Sequence, residues 1–160
     1  MESPVQILFV CSGNTCRSPM AEAALRLELG ADAARARVGS VGTSALEGEP
    51  ATAPAIEVAR ASGADLSGHR ARRATRERLA EADFVFAMER SHLEALRRLG
   101  ADPARCHVLS EWPEPGEPDL PLSDPYGGTS EAYEECWRRI QRHVRRVAPA
   151  IVEALRSRSL

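Results

Sequence analysis

The stretch from Val5 to Arg17 constrains the fold more than any other part of this 160-residue chain. Val5-Gln6-Ile7-Leu8-Phe9-Val10 is short, nearly all apolar and β-branched at several positions, the pattern of a strand buried on both faces of a parallel sheet. Ser12-Gly13-Asn14 follows as a turn. Pro19 then stands in the first turn of a helix that starts near Arg17, carries Met20, Ala23, Ala24 and Leu27, and stops at Gly30. A strand that runs through a glycine-containing loop into a helix N-terminus offers backbone N–H groups and a positive dipole end to an anion.

A buried parallel strand needs crossover connections, and the sequence supplies them. Arg37–Val41 reads as a weak strand, Pro54–Ser62 as a helix ended by Gly63, and Asp83–Ala87 as a buried strand. Ser91–Leu99 reads as a helix closed by Gly100, and Cys106–Leu109 as a short strand. This alternation predicts an α/β fold: one domain over residues 1–160, three layers αβα, with a Rossmann-like central parallel sheet of about four strands. Ligands of such sheets bind beyond the carboxyl ends of the strands, and Cys11 directly follows the first. Five prolines between Glu111 and Tyr126 make that stretch an extended loop, of a length that is usually functional. Beyond Thr129, the spacing of Tyr133, Trp137, Ile140, Val144, Val147 and Ile151 predicts a long amphipathic helix, which Pro149 should kink or break.

The formal charge of −2 leaves no global basic field for a nucleic-acid backbone or an anionic membrane, so any anion is recognised locally. All 21 basic residues are arginine. The Arg70, Arg72, Arg73, Arg76, Arg78 run reads as a solvated helix face near Glu77 and Glu81. Cys11, Cys16, Cys106 and Cys136 have neither disulfide-scaffold nor zinc-ribbon spacing, and His69, His92, His107 and His143 are scattered, so neither metal nor cofactor is expected. Without a signal-peptide pattern or a run near ~20 apolar residues, the expected location is the cytoplasm, free of the membrane.

Cys11 and Arg17 are separated by Ser12-Gly13-Asn14-Thr15-Cys16, a C-x5-R spacing followed by Ser18. Five residues can wrap in a semicircle, amides inward, with both end side chains facing one tetrahedral dianion. Cys11 would lie beneath the central atom, its thiolate favoured by amides, helix dipole and Arg17, with a pKa below the ordinary ~8.5. Arg17 would grip two oxygens through its planar fork. Taken alone, the spacing more often marks a buried strand-end thiol and an exposed helix arginine. Strand before, helix after, and Gly13, Ser18 and Pro19 favour the site. A Walker-type phosphate loop is excluded because the chain has no lysine.

Val10-Cys11-Ser12-Gly13-Asn14-Thr15-Cys16-Arg17-Ser18-Pro19-Met20-Ala21-Glu22 resembles the signature of the low-molecular-weight protein-tyrosine-phosphatase family. The likeness continues through Ser40-Val41-Gly42-Thr43, Gly68-His69-Arg70-Ala71-Arg72 and Asp124-Pro125-Tyr126-Gly127, spanning nearly the whole chain. It implies a protein phosphatase acting through a phosphocysteine, with Cys11 as nucleophile, Arg17 as transition-state clamp and Asp124 as general acid. It further implies that Ser18 donates to the Cys11 thiolate, that Ser40 and His69 hold Asn14 in an αL-type conformation, and that Cys16 can form a reversible disulfide with Cys11. Phosphorylated proteins are the implied substrates and inorganic phosphate the product. Asp124 also makes independent sense, since a basic leaving group needs a proton and the same carboxylate can then activate water.

Phosphotyrosine enzymes of the family usually carry an aliphatic loop residue where this chain has polar Ser12 and Thr15, and aromatics near Leu46 and after Tyr126. The pattern resembles the bacterial branch that dephosphorylates phosphoarginine, and a Thr15 hydroxyl can bond a guanidinium. The expectation therefore leans to phosphoarginine, with phosphotyrosine as the alternative because Tyr126 still offers an aromatic wall. Two other readings are weaker. An arsenate reductase would need two further cysteines after the third strand, and Phe84–Leu99 holds none. A non-catalytic phosphopeptide-binding module could dispense with Cys11 and Asp124.

Overall fold

The computed structural model describes residues 4–113 and 122–158. Its core is a four-stranded parallel sheet of β1 (Val5–Cys11), β2 (Ala36–Gly42), β3 (Phe84–Ala87) and β4 (Cys106–Val108), in the order β2-β1-β3-β4. The register sets Ile7 between Val38 and Phe84 and brings Cys11 opposite Gly42, so the first two strands end side by side. The order places the oldest expectation, a first strand buried on both faces, in the middle of the sheet.

Alternation along β1 distributes its side chains to two cores. Val5, Ile7, Phe9 and Cys11 pack with α1 (Arg17–Leu29) and α5 (Ser130–Arg158), against Met20, Leu25, Trp137, Ile140, Val144 and Ile151. The short α2 (Ala53–Ala61) joins this layer through Ala55 and Ala59. Leu8 and Val10 face the other way, toward Leu79 of α3 (Arg76–Ala80) and Leu96 of α4 (Arg90–Arg98). The result is the expected three-layer αβα arrangement, with the helices of both layers leaving the carboxyl edge of the sheet open at Cys11.

Two local expectations fail. The arginine-rich run is not a helix face: α3 begins only at Arg76, because Thr75 caps it by accepting from the Arg78 N–H at 3.1 Å. Residues 71–74 instead run extended beside the end of β2, where Gly42 N–H donates to Arg72 O (2.8 Å) and Ala74 N–H to Gly42 O (2.8 Å). Nor does Pro149 end α5, which is helical throughout Ser130–Arg158. Pro149 and Arg145, whose carbonyl loses its intrahelical partner, both lie on the exposed side, while Val144, Val147, Ile151 and Leu155 keep the buried stripe continuous. Residues 114–121 of the proline-rich loop lie outside the described residues.

Phe86 is fully buried and sits 5.8 Å from the Phe9 ring and 5.6 Å, edge-on, from Trp112. Phe86→Ala should cost about 3–5 kcal/mol in urea unfolding, whereas Leu27→Ala, on the solvent side of α1, should stay within about 0.5 kcal/mol.

Candidate active site

The loop between β1 and α1 is pressed against the end of β2. Thr43 N–H donates to Cys11 O and Ser44 N–H to Ser12 O, each at 2.9 Å. The approach is so close that a Cβ on Gly42 would lie 2.5 Å from Ser12 O and 2.9 Å from Asn14 N. Only glycine fits there, which is the physical content of the Ser40-Val41-Gly42-Thr43 motif.

Asn14 makes the turn, with φ 57° and no exposed surface. Its own N–H donates to Cys11 Sγ (3.2 Å), its Nδ2 to Ser18 Oγ (2.8 Å), and its Oδ1 accepts from the Arg72 N–H (2.9 Å). His69 Nε2 lies 2.7 Å from Asn14 O, so the histidine holds the loop's backbone as expected. Ser40 does not share this task. Its hydroxyl donates to Glu22 Oε1 at 2.8 Å, tying β2 to α1, because the strand's alternation points Ser40 at that helix. Arg72, through its backbone, takes the place assigned to Ser40.

Cys11 Sγ rests 2.8 Å from Ser18 Oγ and is 3% exposed. Burial pushes the thiol up, while hydrogen bonds from Ser18, the Arg17 charge and the Asn14 N–H pull it down. Burial is the largest of these and holds the thiol above its ordinary value, not below it. Donors and helix dipole follow from local sequence, whereas burial belongs to the assembled fold.

Arg17 is 2% exposed, and its guanidinium is already satisfied on the side of the fold. Nη1 donates to Leu122 O (2.9 Å) and to Glu89 Oε1 (3.3 Å), and Nη2 lies 3.8 Å from Asp124 Oδ2. Asp124 is half exposed and accepts from the Tyr126 N–H through Oδ1 at 3.1 Å. The segment before α5 therefore brings its carboxylate over the loop. Leu46 (67% exposed) and Tyr126 (71%) stand out from the surface, the first just after the residues that bond Cys11 and Ser12, the second two after Asp124. Ser12 and Thr15 are partly exposed, and Gly13 is exposed.

Cys16 Sγ is buried, 3.3 Å from Tyr133 Oη and 3.6 Å from Thr52 Oγ1, and all four cysteines are free thiols. Among the described residues no cluster of His, Cys, Asp and Glu could hold a metal, and no helix is long and apolar enough to cross a membrane.

Sequence reasoning missed Glu89 and His92. Both begin α4 just beyond the carboxyl end of β3, the position where open sheets place ligand-binding groups, so that rule could have found them. His92 is 3% exposed, its Nε2 is 3.0 Å from Ser12 Oγ, and burial, then Arg17, lower its pKa against Glu89 and Asp124.

A cysteine buried at the mouth of a parallel sheet, with an arginine closing its loop and a carboxylate above, defines a cysteine-dependent phosphatase. The chain belongs to the family described as low molecular weight phosphotyrosine protein phosphatase, whose model matches residues 6–158. Low molecular weight protein-tyrosine phosphatase A of Mycobacterium tuberculosis is 39% identical over 147 residues, 88% of either chain. Among solved structures, the tyrosine phosphatase Wzb of Escherichia coli K30 with sulphate superposes with TM-score 0.81 at 30% identity, over 93% of this chain and 99% of that one. The YwlE arginine phosphatase of Geobacillus stearothermophilus superposes with TM-score 0.82 at 30% identity, over 94% and 95%.

A Ser18 hydroxyl that donates to Cys11 Sγ, 2.8 Å away, favours the thiolate, so Ser18→Ala should move the pH midpoint of Cys11 alkylation by iodoacetate upward. An unchanged midpoint would show that Ser18 serves only the Asn14 turn. Gly42→Ala should lower Tm and alkylation selectivity together, because backbone must shift to admit the methyl group.

Proposed function

We propose that this protein hydrolyses phosphorylated protein side chains through a phosphocysteine on Cys11. The carrying observation is the seat of Cys11 Sγ between Ser18 Oγ and the Asn14 N–H, with Arg17 at the far end of the same loop. A phosphoryl dianion in the loop would take the outward face of the Arg17 guanidinium, whose other side Leu122 O and Glu89 already fix. Fixing the fork beforehand lowers the cost of ordering it in the transition state.

Once the Cys11 thiol has released its proton to solvent, its thiolate sulfur attacks phosphorus, and the bond from phosphorus to the leaving oxygen or nitrogen breaks as a protonated Asp124 gives that atom a proton. The Asp124 carboxylate then takes a proton from water as the water oxygen attacks the phosphocysteine. The S–P bond breaks, releasing inorganic phosphate and returning the thiolate. Asp124 fits both steps because it is half exposed yet within 3.8 Å of Arg17.

Phosphoarginine is our favoured substrate. Partly exposed Ser12 and Thr15 carry hydroxyls able to accept from a guanidinium's N–H groups, and an unpartnered buried N–H costs about 1–3 kcal/mol. Phosphotyrosine is the second reading, supported by the exposed Tyr126 and Leu46 side chains, which could flank a phenyl ring.

Cys11→Ser should abolish turnover while leaving vanadate binding largely intact, and Asp124→Ala should let phosphocysteine accumulate in rapid-quench experiments. Thr15→Ile should shift the ratio of kcat/KM for phosphoarginine over phosphotyrosine peptides downward by about ten- to a hundredfold, with oxyanion inhibition unchanged. An unchanged ratio would return phosphotyrosine to the lead.

A further inference from the structure

The first turn of α4 touches both ends of the Cys11–Arg17 loop. At the arginine end, Glu89 Oε1 receives Arg17 Nη1 at 3.3 Å. At the cysteine end, His92 Nε2 lies 3.0 Å from Ser12 Oγ. The two side chains are joined, because the Glu89 backbone N–H donates to His92 Nδ1 at 3.3 Å.

That last contact fixes the tautomer. An Nδ1 that accepts carries no proton, so a neutral ring has its N–H on Nε2, aimed at Ser12 Oγ. The charged groups facing the ring are Arg17 from α1, Asp124 from the segment before α5, and Glu89 from its own turn. Burial and Arg17 disfavour the imidazolium more than the two carboxylates favour it, which lowers the pKa of the ring below its ordinary value. A buried imidazole with both nitrogens engaged, one across to another element, is a rigid strut rather than a solvated helix side chain.

We propose that His92 is a positioning residue, holding the phosphoryl-binding loop against α4 through Ser12 while its link to Glu89 keeps Arg17 aimed into the loop. The inference rests on the phosphocysteine reading above. Residual turnover by Cys11→Ser would defeat that reading, whereas the experiment below addresses His92 alone.

His92→Asn keeps an acceptor near the Nδ1 position for the Glu89 N–H but is too short to reach Ser12, and Ser12→Ala removes the partner while leaving α4 unaltered. With p-nitrophenyl phosphate as substrate and vanadate as inhibitor, each single variant should lose about three- to tenfold in kcat/KM and weaken vanadate by a similar factor. The double variant should be no worse than the worse single, since both remove one interaction. A helix-capping role alone would lower Tm without coupling to Ser12. Losses that multiply, or an unchanged kcat/KM in His92→Asn, would overturn the proposal. The imidazole nitrogen shifts of the unaltered protein give a check independent of any variant's folding: the Nε2–H tautomer is expected for His92 near pH 7.5, and an Nδ1–H tautomer would overturn the assignment.

Discussion

Asn14 turns the chain between strand and helix in a left-handed conformation, and every other part of the site is built around that turn. Its φ of 57° is the one positive value at a non-glycine position among the described residues. Such a conformation persists only when its surroundings over-determine it. Here the amide N–H is directed at Cys11 Sγ, the side chain spans from Ser18 to the backbone of Arg72, and the carbonyl meets His69. Those partners come from β1, from α1 and from the segment after Gly68, so the turn is held from three parts of the chain at once. The absent side chain at Gly42 is the other half of the same constraint, because it lets β2 come close enough to receive the loop.

The electrostatics follow from burial. Cys11 and Arg17 are both nearly inaccessible, which raises the cost of the thiolate and leaves the arginine dependent on fixed partners. Leu122 O and Glu89 meet that need from one side, and Asp124 stands close enough to be felt from above. An arriving phosphoryl group brings charge to a guanidinium whose direction is already set.

In the function proposed, selectivity beyond the phosphoryl group belongs to the rim. Ser12 and Thr15 form its polar part, while Leu46 and Tyr126 project from two separate segments. The rim therefore combines one rigid component, fixed by the Asn14 turn and by α4, with side chains that stand free in solvent. Relatives of both chemistries share this frame at similar identity, so the fold by itself does not separate the two substrates.

The order of strands and helices and the C-x5-R loop were legible in sequence because each is a local pattern: hydrophobic period, turn residues, fixed spacing; Gly42 and Asp124 stood out only through the family resemblance. Cys11, Arg17, Asn14 and Ser18 could be named because they lie within eight consecutive positions of one strand–loop–helix unit. What depended on distant packing was not legible. Ser40 turned to Glu22 because strand alternation and the placement of α1 fix its direction; Arg72 reached Asn14 by backbone alone, where side-chain identity carries no signal. The arginine run looked helical throughout by composition, yet pairing with Gly42 holds residues 71–74 extended and leaves only Arg76 and Arg78 to α3. The direction of the Cys11 pKa shift and the place of His92 against Ser12 were likewise decided only when three layers closed, since burial and cross-layer contact are properties of the assembled fold and not of any stretch of chain.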